Sequence, residues 1–194
     1  MKTIVTALRI LLVLTLLTGV LYPLGVTLLA QVIFPEQATG SLVAVNGQVI
    51  GSHWIGQANQ AEGYFWPRPS AVGYMEGSAQ GAPASSGASN LGPTSAALAE
   101  QVQRRAALLR AANELAPDAA IPADMILASG SGLDPHISPE AARLQIERVA
   151  RSRGLAPAAV AALVEQHVEG AQFGLLGSPR VNVLRLNLAL DGVQ

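Results

Sequence analysis

The stretch Ser129-Gly130-Ser131-Gly132-Leu133-Asp134-Pro135-His136-Ile137-Ser138-Pro139-Glu140 holds the residue types that come nearest to chemistry in this chain. Glycines placed after a strand and before a helix are the setting in which backbone amides and a helix N-terminus hold an anion. Ser129, Gly130, Ser131 and Gly132 are therefore candidate nucleotide contacts. Against that, the glycines lie several residues ahead of the helix start, and Asp134 and Glu140 would repel a phosphate. The same residues also read as a tight strand-to-helix connection in which Asp134 and Ser138 bond nearby amides. Tyr64-Phe65-Trp66-Pro67-Arg68-Pro69-Ser70 likewise has two readings, a ligand-facing aromatic cluster or a core anchor. Aromatics make up only 4% of the chain, so a small core has first claim on them.

Other chemistries lack their residues. His53, His136 and His167 are far apart, and none has a partner at a metal-ligand spacing, so no metal site is expected. There is no Walker sequence, no G-x-S-x-G elbow and no phosphorylated-aspartate motif of a transport ATPase. The chain has no cysteine, which removes disulfides and thiol chemistry. A net charge of −1, with every cation except Lys2 an arginine, gives no basic surface for nucleic acid. The expected protein is not an enzyme, and any energy source it works with is on another chain.

The elements that carry these residues begin with an anchor. Residues 10–33 are apolar apart from threonines, Gly19, Gly25 and Gln31. About 20 apolar helical residues cross a hydrocarbon core of about 30 Å. Tyr22-Pro23 falls mid-span and should kink the helix, which membrane helices tolerate. A cleaved signal peptide is the alternative, but the run is too long and Leu28-Leu29-Ala30 puts a bulky residue at the −3 position. Lys2, Arg9 and the amino terminus precede the span, and the next cation after it is Arg68. Positive charge near a span stays in the cytoplasm. Residues 1–9 are therefore expected in the cytoplasm, 10–33 in the membrane, and 34–194 as one exported domain.

Within that domain, Leu42–Val45 and Gln48–Ile50 flank Asn46-Gly47, the pair that favours a two-residue type I′ hairpin turn. A long loop follows from Trp54 to Pro93, densest in glycine and serine over Gly77–Gly92. Leu98, Val102, Leu109 and Ala112 predict a helix capped by Thr94 or Ser95 and closed by Pro117. Met125–Ala128 reads as a buried strand. Ser138, Pro139 and Gly154 bound a helix to about Arg153, and a third helix should run from Pro157 to Val168 with Val160, Leu163, Val164 and Val168 inward. Asn182–Leu190 alternates apolar and polar positions and predicts a terminal strand. The fold class expected is one N-terminal transmembrane helix followed by a single α+β or α/β exported domain.

Several segments together resemble the C subunit of the Kdp-type potassium-transporting ATPase, a bacterial high-affinity potassium pump. They are the N-terminal span, Gly51-Ser52 with Ile55-Gly56-Gln57, Tyr64-Phe65-Trp66 with Arg68-Pro69-Ser70-Ala71, and Ser89-Asn90-Leu91-Gly92-Pro93. Pro122-Ala123-Asp124, the run Ala128 to Ala142, Arg148-Val149-Ala150, Phe173-Gly174 and Pro179-Arg180-Val181-Asn182-Val183-Leu184 complete the resemblance. Ala88 and Ser95-Ala96 depart from the family pattern, and both lie in or beside the loop.

The resemblance implies a subunit of the bacterial inner membrane, partnered by a potassium-conducting channel-like subunit, a P-type ATPase subunit and a small single-helix subunit. ATP and potassium would be used by the complex rather than held by this chain. The family's C subunit is described as a catalytic chaperone that raises the ATPase subunit's affinity for ATP, whereas an exported domain cannot touch cytoplasmic ATP. One expectation is an accessory subunit sitting over the outer mouth of the channel-like subunit; the alternative is a regulator that itself binds nucleotide. The family motifs make Arg68, Ser70, Asn90, Asp134, His136, Arg180 and Asn182 candidate structural or partner-contact residues. Prolines beside Arg68 and Arg180 stiffen the backbone, so at least one of these guanidiniums is expected to bond a carboxylate or loop carbonyls.

Overall fold

A computed structural model describes residues 1–72 and 85–192, so Gly77 and the first half of the glycine- and serine-rich run lie outside the described residues. The chain divides into two units, 1–42 and 43–194. The first is dominated by one long apolar helix, Lys2–Ile33, which extends the predicted span at its N-terminal end. Its 32 residues rise about 48 Å at about 1.5 Å each. It consists of α1 (Lys2–Leu16), a π-helical turn (Leu17–Leu21) and α2 (Tyr22–Ile33). Pro23 has no N–H to donate, and its ring would meet the carbonyl one turn earlier. The helix carries it by widening the preceding turn, where the Tyr22 amide donates to the Leu17 carbonyl. Thr18 and Thr27 donate their hydroxyls to the Leu14 and Pro23 carbonyls at 2.7 and 2.8 Å, which leaves neither hydroxyl proton bare on an apolar helix. A short helix, α3 (Pro35–Ala38), follows.

The second unit opens with the hairpin of β1 (Leu42–Val45) and β2 (Gln48–Ser52). Asn46 at φ +51° and Gly47 at φ +79° supply the left-handed pair that a type I′ turn requires. After the long loop, α4 (Ala96–Ala112) starts at Ser95, whose Oγ accepts from the Leu98 amide at 3.4 Å. Met125–Ala128 is not a strand: α5 (Ala123–Ile126) is a helical turn that buries Met125. A four-residue apolar run carries no period that separates the two states, and Pro122 with Asp124 in the first turn favours helix.

The predicted helix from Pro139 is present but interrupted, as α6 (Pro139–Leu144) and α7 (Ile146–Arg153), with Gln145 at the break. Ser138 caps its start by accepting from the Ala141 amide at 3.1 Å, and Gly154 ends it at φ +65°. Helix α8 (Pro157–Gln166) buries Val160 and Val164. Strands β3 (His136–Ile137), β4 (Val168–Glu169) and β5 (Arg180–Asn182) form an antiparallel sheet in the order β3-β5-β4, with Ile137 and Val168 both opposite Val181.

The chain does not end in a strand. Only Arg180–Asn182 is extended, and Val183–Leu190 is helix α9. Val183, Leu186 and Asn187 are its buried residues, the i, i+3, i+4 face of a helix, and Leu190 packs beside them. Asn182 caps it, its Oδ1 accepting from the Arg185 amide at 3.1 Å. Alternating leucines satisfied the strand pattern and the helix pattern together, and the cap decides between them. The resulting α+β domain has its core on Phe65, Ile137, Val149, Val160, Val164, Val181 and Leu186. Each such side chain is worth about 1.5–3 kcal/mol when fully buried.

Candidate functional site

Phe65 and Trp66 are buried in this core, so they anchor the aromatic segment there. A segment with no strand partner must find other partners for its buried backbone groups. Side chains supply them. The Phe65 amide donates to Asn187 Oδ1 at 2.8 Å, and Asn187 Nδ2 donates to the Phe65 carbonyl at 3.0 Å. One residue on, the Trp66 amide donates to Gln145 Oε1 at 2.7 Å, and Gln145 Nε2 donates to the Trp66 carbonyl at 3.3 Å. Two buried carboxamides, one on α9 and one at the α6/α7 break, thus stand in for neighbouring strands.

Arg148, only 2% exposed, supports the second of these, Gln145. Its guanidinium lies 4.5 Å from the Trp66 ring centroid, and its Nε and Nη2 donate to Asn113 Oδ1 and Gln145 Oε1 at 3.0 and 2.7 Å. Its Nη1 donates to the carbonyls of Ala61 and Glu62. Burial pushes its pKa down to about 10, which still leaves it cationic at neutral pH. Tyr64 is clamped in the same manner. Its ring lies 4.5 Å from the Arg153 guanidinium, and its hydroxyl donates to Asp191, which pairs with Arg153 at 2.7 Å.

Held at its aromatic end, the segment delivers Arg68 and Ser70 to the turn at 129–134. Arg68 Nη1 pairs with Asp134 Oδ2 at 2.8 Å, and Ser70 Oγ donates to the Gly132 carbonyl at 2.7 Å. Asp134 Oδ1 also accepts from the His136 amide at 3.0 Å and faces His136 Nδ1 at 3.4 Å. Partial burial pushes the Asp134 carboxyl up, but the His136 and Arg68 hydrogen bonds outweigh it and hold the group below its ordinary value. The Ser129 amide donates to the Pro69 carbonyl, and the Gly132 amide to the Ser129 carbonyl, both at 3.3 Å. From the far end of the loop, the Gly87 amide and the Ser86 hydroxyl donate to the Ser131 carbonyl at 2.8 and 3.1 Å. Gly132 sits at φ +70°, and a Cβ there would lie 2.6 Å from the Gly87 carbonyl oxygen. These contacts make the 129–134 turn a fastening point for both ends of the loop. The amides of Ser129 and Gly132 are committed within the protein, which leaves less of the turn to cradle a phosphate.

The other candidate residues are placed elsewhere. Arg180 pairs with Glu169 at 3.1 Å across β5 and β4, so it and Arg68 each bond a carboxylate. Asn182 Nδ2 donates to the His53 carbonyl at 2.9 Å, and His136 is opposite Asn182 in the sheet register. Asn90 is exposed at φ +52°, and among the described residues no hydrogen bond joins it to the Asp134 group. Among the described residues, no three of His, Cys, Asp and Glu converge as metal ligands would. Beside the Tyr64–Ser70 segment, a cleft of about 310 Å³ is bounded by Trp66, Ser70, Arg104, Leu108 and Met125, and among the described residues it has no nucleophile and base in register. Sequence reasoning missed Gln145, Arg148 and Asn187. An amide between Leu186 and Leu188 was the available signal, because a polar residue on a buried stripe must have buried partners.

Comparison with known proteins matches residues 4–192 to the family described as KdpC: K+-transporting ATPase, c chain. The potassium-transporting ATPase KdpC subunit of Burkholderia orbicola (strain MC0-3) is 52% identical over 196 residues, covering 100% of this chain and 98% of that protein. That of Sorangium cellulosum (strain So ce56) is 54% identical over 190 residues, covering 97% and 96%. That of Methylibium petroleiphilum is 54% identical over 193 residues, covering 99% and 98%.

Proposed function

This chain belongs to the KdpC family of potassium-transporting ATPase c chains, and we propose from that premise that it is the non-catalytic accessory subunit of an ATP-driven potassium-uptake complex in a bacterial inner membrane. In this reading α1 and α2 form the anchor, the N-terminus is cytoplasmic, and the domain from residue 34 is exported over the outer mouth of the potassium-conducting subunit. The observation that carries the proposal is the extent of the family match, which takes in the apolar helix and the α+β domain together. Lys2 and Arg9 at the start of that helix support the orientation. Its remaining partners would be the P-type ATPase subunit and the small single-helix subunit. The family's chaperone role, raising the ATPase subunit's affinity for ATP, would then act through the membrane helix and the partner subunits, because an exported domain has no access to cytoplasmic nucleotide.

The chain has no native cysteine, so one reporter thiol tests the topology cleanly. Ala116→Cys, on an exposed loop, should react with a membrane-impermeant maleimide in intact cells. Labelling only in inverted vesicles would overturn the exported placement. In the purified complex, omission of this chain should raise the ATP concentration needed for half-maximal hydrolysis. An unchanged value would end the chaperone reading.

A further inference from the structure

Strands β4 and β5 are joined by residues 170–179, a segment with no charged residue between Glu169 and Arg180. Its tip exposes Phe173 by 92%, Leu175 by 86% and Leu176 by 60%. An apolar cluster so placed on a water-facing domain is costly unless something covers it. The tip is also built rather than loose. The Gln172 and Leu176 backbones exchange hydrogen bonds at 2.8 and 2.9 Å, and the Gly174 and Leu175 amides donate to the Ala171 and Gln172 carbonyls at 3.0 and 3.1 Å. Gly174 and Gly177 occupy the left-handed region at φ +73° and +80°, and so does Phe173, at φ +54°, where a bulky L residue is strained. Below the tip, β5 is the central strand of its sheet, and Val181 is fully buried.

We propose that the Phe173–Leu176 turn is an insertion anchor, which seats Phe173, Leu175 and Leu176 in an apolar pocket of another protein subunit of the transport complex. The inference rests on the subunit reading above, which supplies the partner. Two observations favour a protein pocket over a lipid surface. A bilayer accepts apolar side chains in any arrangement, so it gives no use to a strained, hydrogen-bonded presentation, whereas a shaped pocket rewards preorganisation. The cations nearest in sequence, Arg180 and Arg185, both pair with Glu169, at 3.1 and 3.5 Å, and so are not turned to lipid headgroups. A single aromatic flanked by two aliphatic side chains is the composition of a small buried hot spot.

The test uses the full chain expressed with its complex. Phe173→p-benzoylphenylalanine, irradiated in native membranes, should yield an adduct that mass spectrometry assigns to a co-purifying subunit. An adduct with lipid alone or with a second copy of this chain, or no adduct, overturns the proposal. Phe173→Gly separates anchoring from folding. It removes the backbone strain, so the melting temperature of the full chain should stay level or rise, while recovery of the other subunits on an affinity-tagged chain falls about tenfold, as for loss of a hot-spot side chain. Undiminished recovery refutes the anchor. Failure of the wild-type chain to bring down any ATPase subunit would refute the subunit reading itself, and the anchor with it.

Discussion

Replacing Asn187 by leucine removes both bonds that hold the Phe65 peptide groups, while leaving a side chain of similar size in the core. Phe65 is fully buried, so its amide and carbonyl, now bonded to Asn187 at 2.8 and 3.0 Å, would have neither protein nor water as partner. An orphaned buried polar group costs about 1–3 kcal/mol, and two of them roughly 2–6 kcal/mol. For a domain of this size, that corresponds to a fall in melting temperature of roughly 4–24 °C. The measurement is thermal unfolding of the detergent-solubilised full chain, followed by near-ultraviolet circular dichroism of the two tryptophans. Limited proteolysis run alongside should show new cleavage between residues 54 and 72. An Asn187→Leu chain that melts within about 1 °C of wild type, a shift below what one orphaned group would cause, would refute the claim that carboxamides substitute for strand partners here.

Other expectations follow from the Tyr64–Ser70 segment and its fastening. Arg68→Lys should cost less than about 1 kcal/mol, because among the described residues Arg68 makes one bond, to Asp134, and its buried Nε has no partner to lose, whereas Asp134→Ala should cost about 1–3 kcal/mol by giving up Arg68 and the His136 amide together; denaturant titration ranks the two. The folded Asp134 carboxyl is held below its ordinary value, so its contribution is complete above the ordinary carboxyl range and is lost as pH falls through the folded value, a limb that Asp134→Ala should flatten in a stability–pH curve. Gly132→Ala combines φ +70° with a Cβ 2.6 Å from a backbone carbonyl, so it should cost about 1–3 kcal/mol or more and speed proteolysis of the loop. Exchange of residues 10–33 for polyleucine keeps the tether but removes the π-helical turn and the small residues, and potassium uptake and co-purification should both fall; normal assembly would make the helix a generic anchor.

Legibility in the sequence followed the range of the interactions. Asn46-Gly47, Ser138 and Gly154 act within a few residues, and the hairpin and the ends of the α6–α7 pair are where those residues put them. The leucines of Val183–Leu190 fit the strand and helix periods at once, and the helix is chosen by the Asn182 cap together with the burial of Asn187. Arg68 and Asp134 both stood out by residue type and motif, yet nothing in a single sequence pairs groups 66 residues apart. Gln145 and Arg148 share one face of the α6–α7 pair, and no local pattern marks that face as buried. Only the folded chain, with Trp66 laid against them, makes that face an interior.

The carboxamide clasp also sets a clock. Phe65 finds its partner 122 residues further along the chain, and Trp66 finds its own 79 residues on. Synthesis runs from the N-terminus at about 5–20 residues per second, so Phe65 waits roughly 6–24 seconds after it is made before Asn187 exists. Throughout that interval a buried aromatic and its unpaired peptide groups have no native place to go. A nascent chain that stops short of α9 lacks the clasp altogether, so it presents the same bare segment indefinitely. The Phe65 and Trp66 peptide groups thus gain their native partners in two steps, first from Gln145 and last from Asn187.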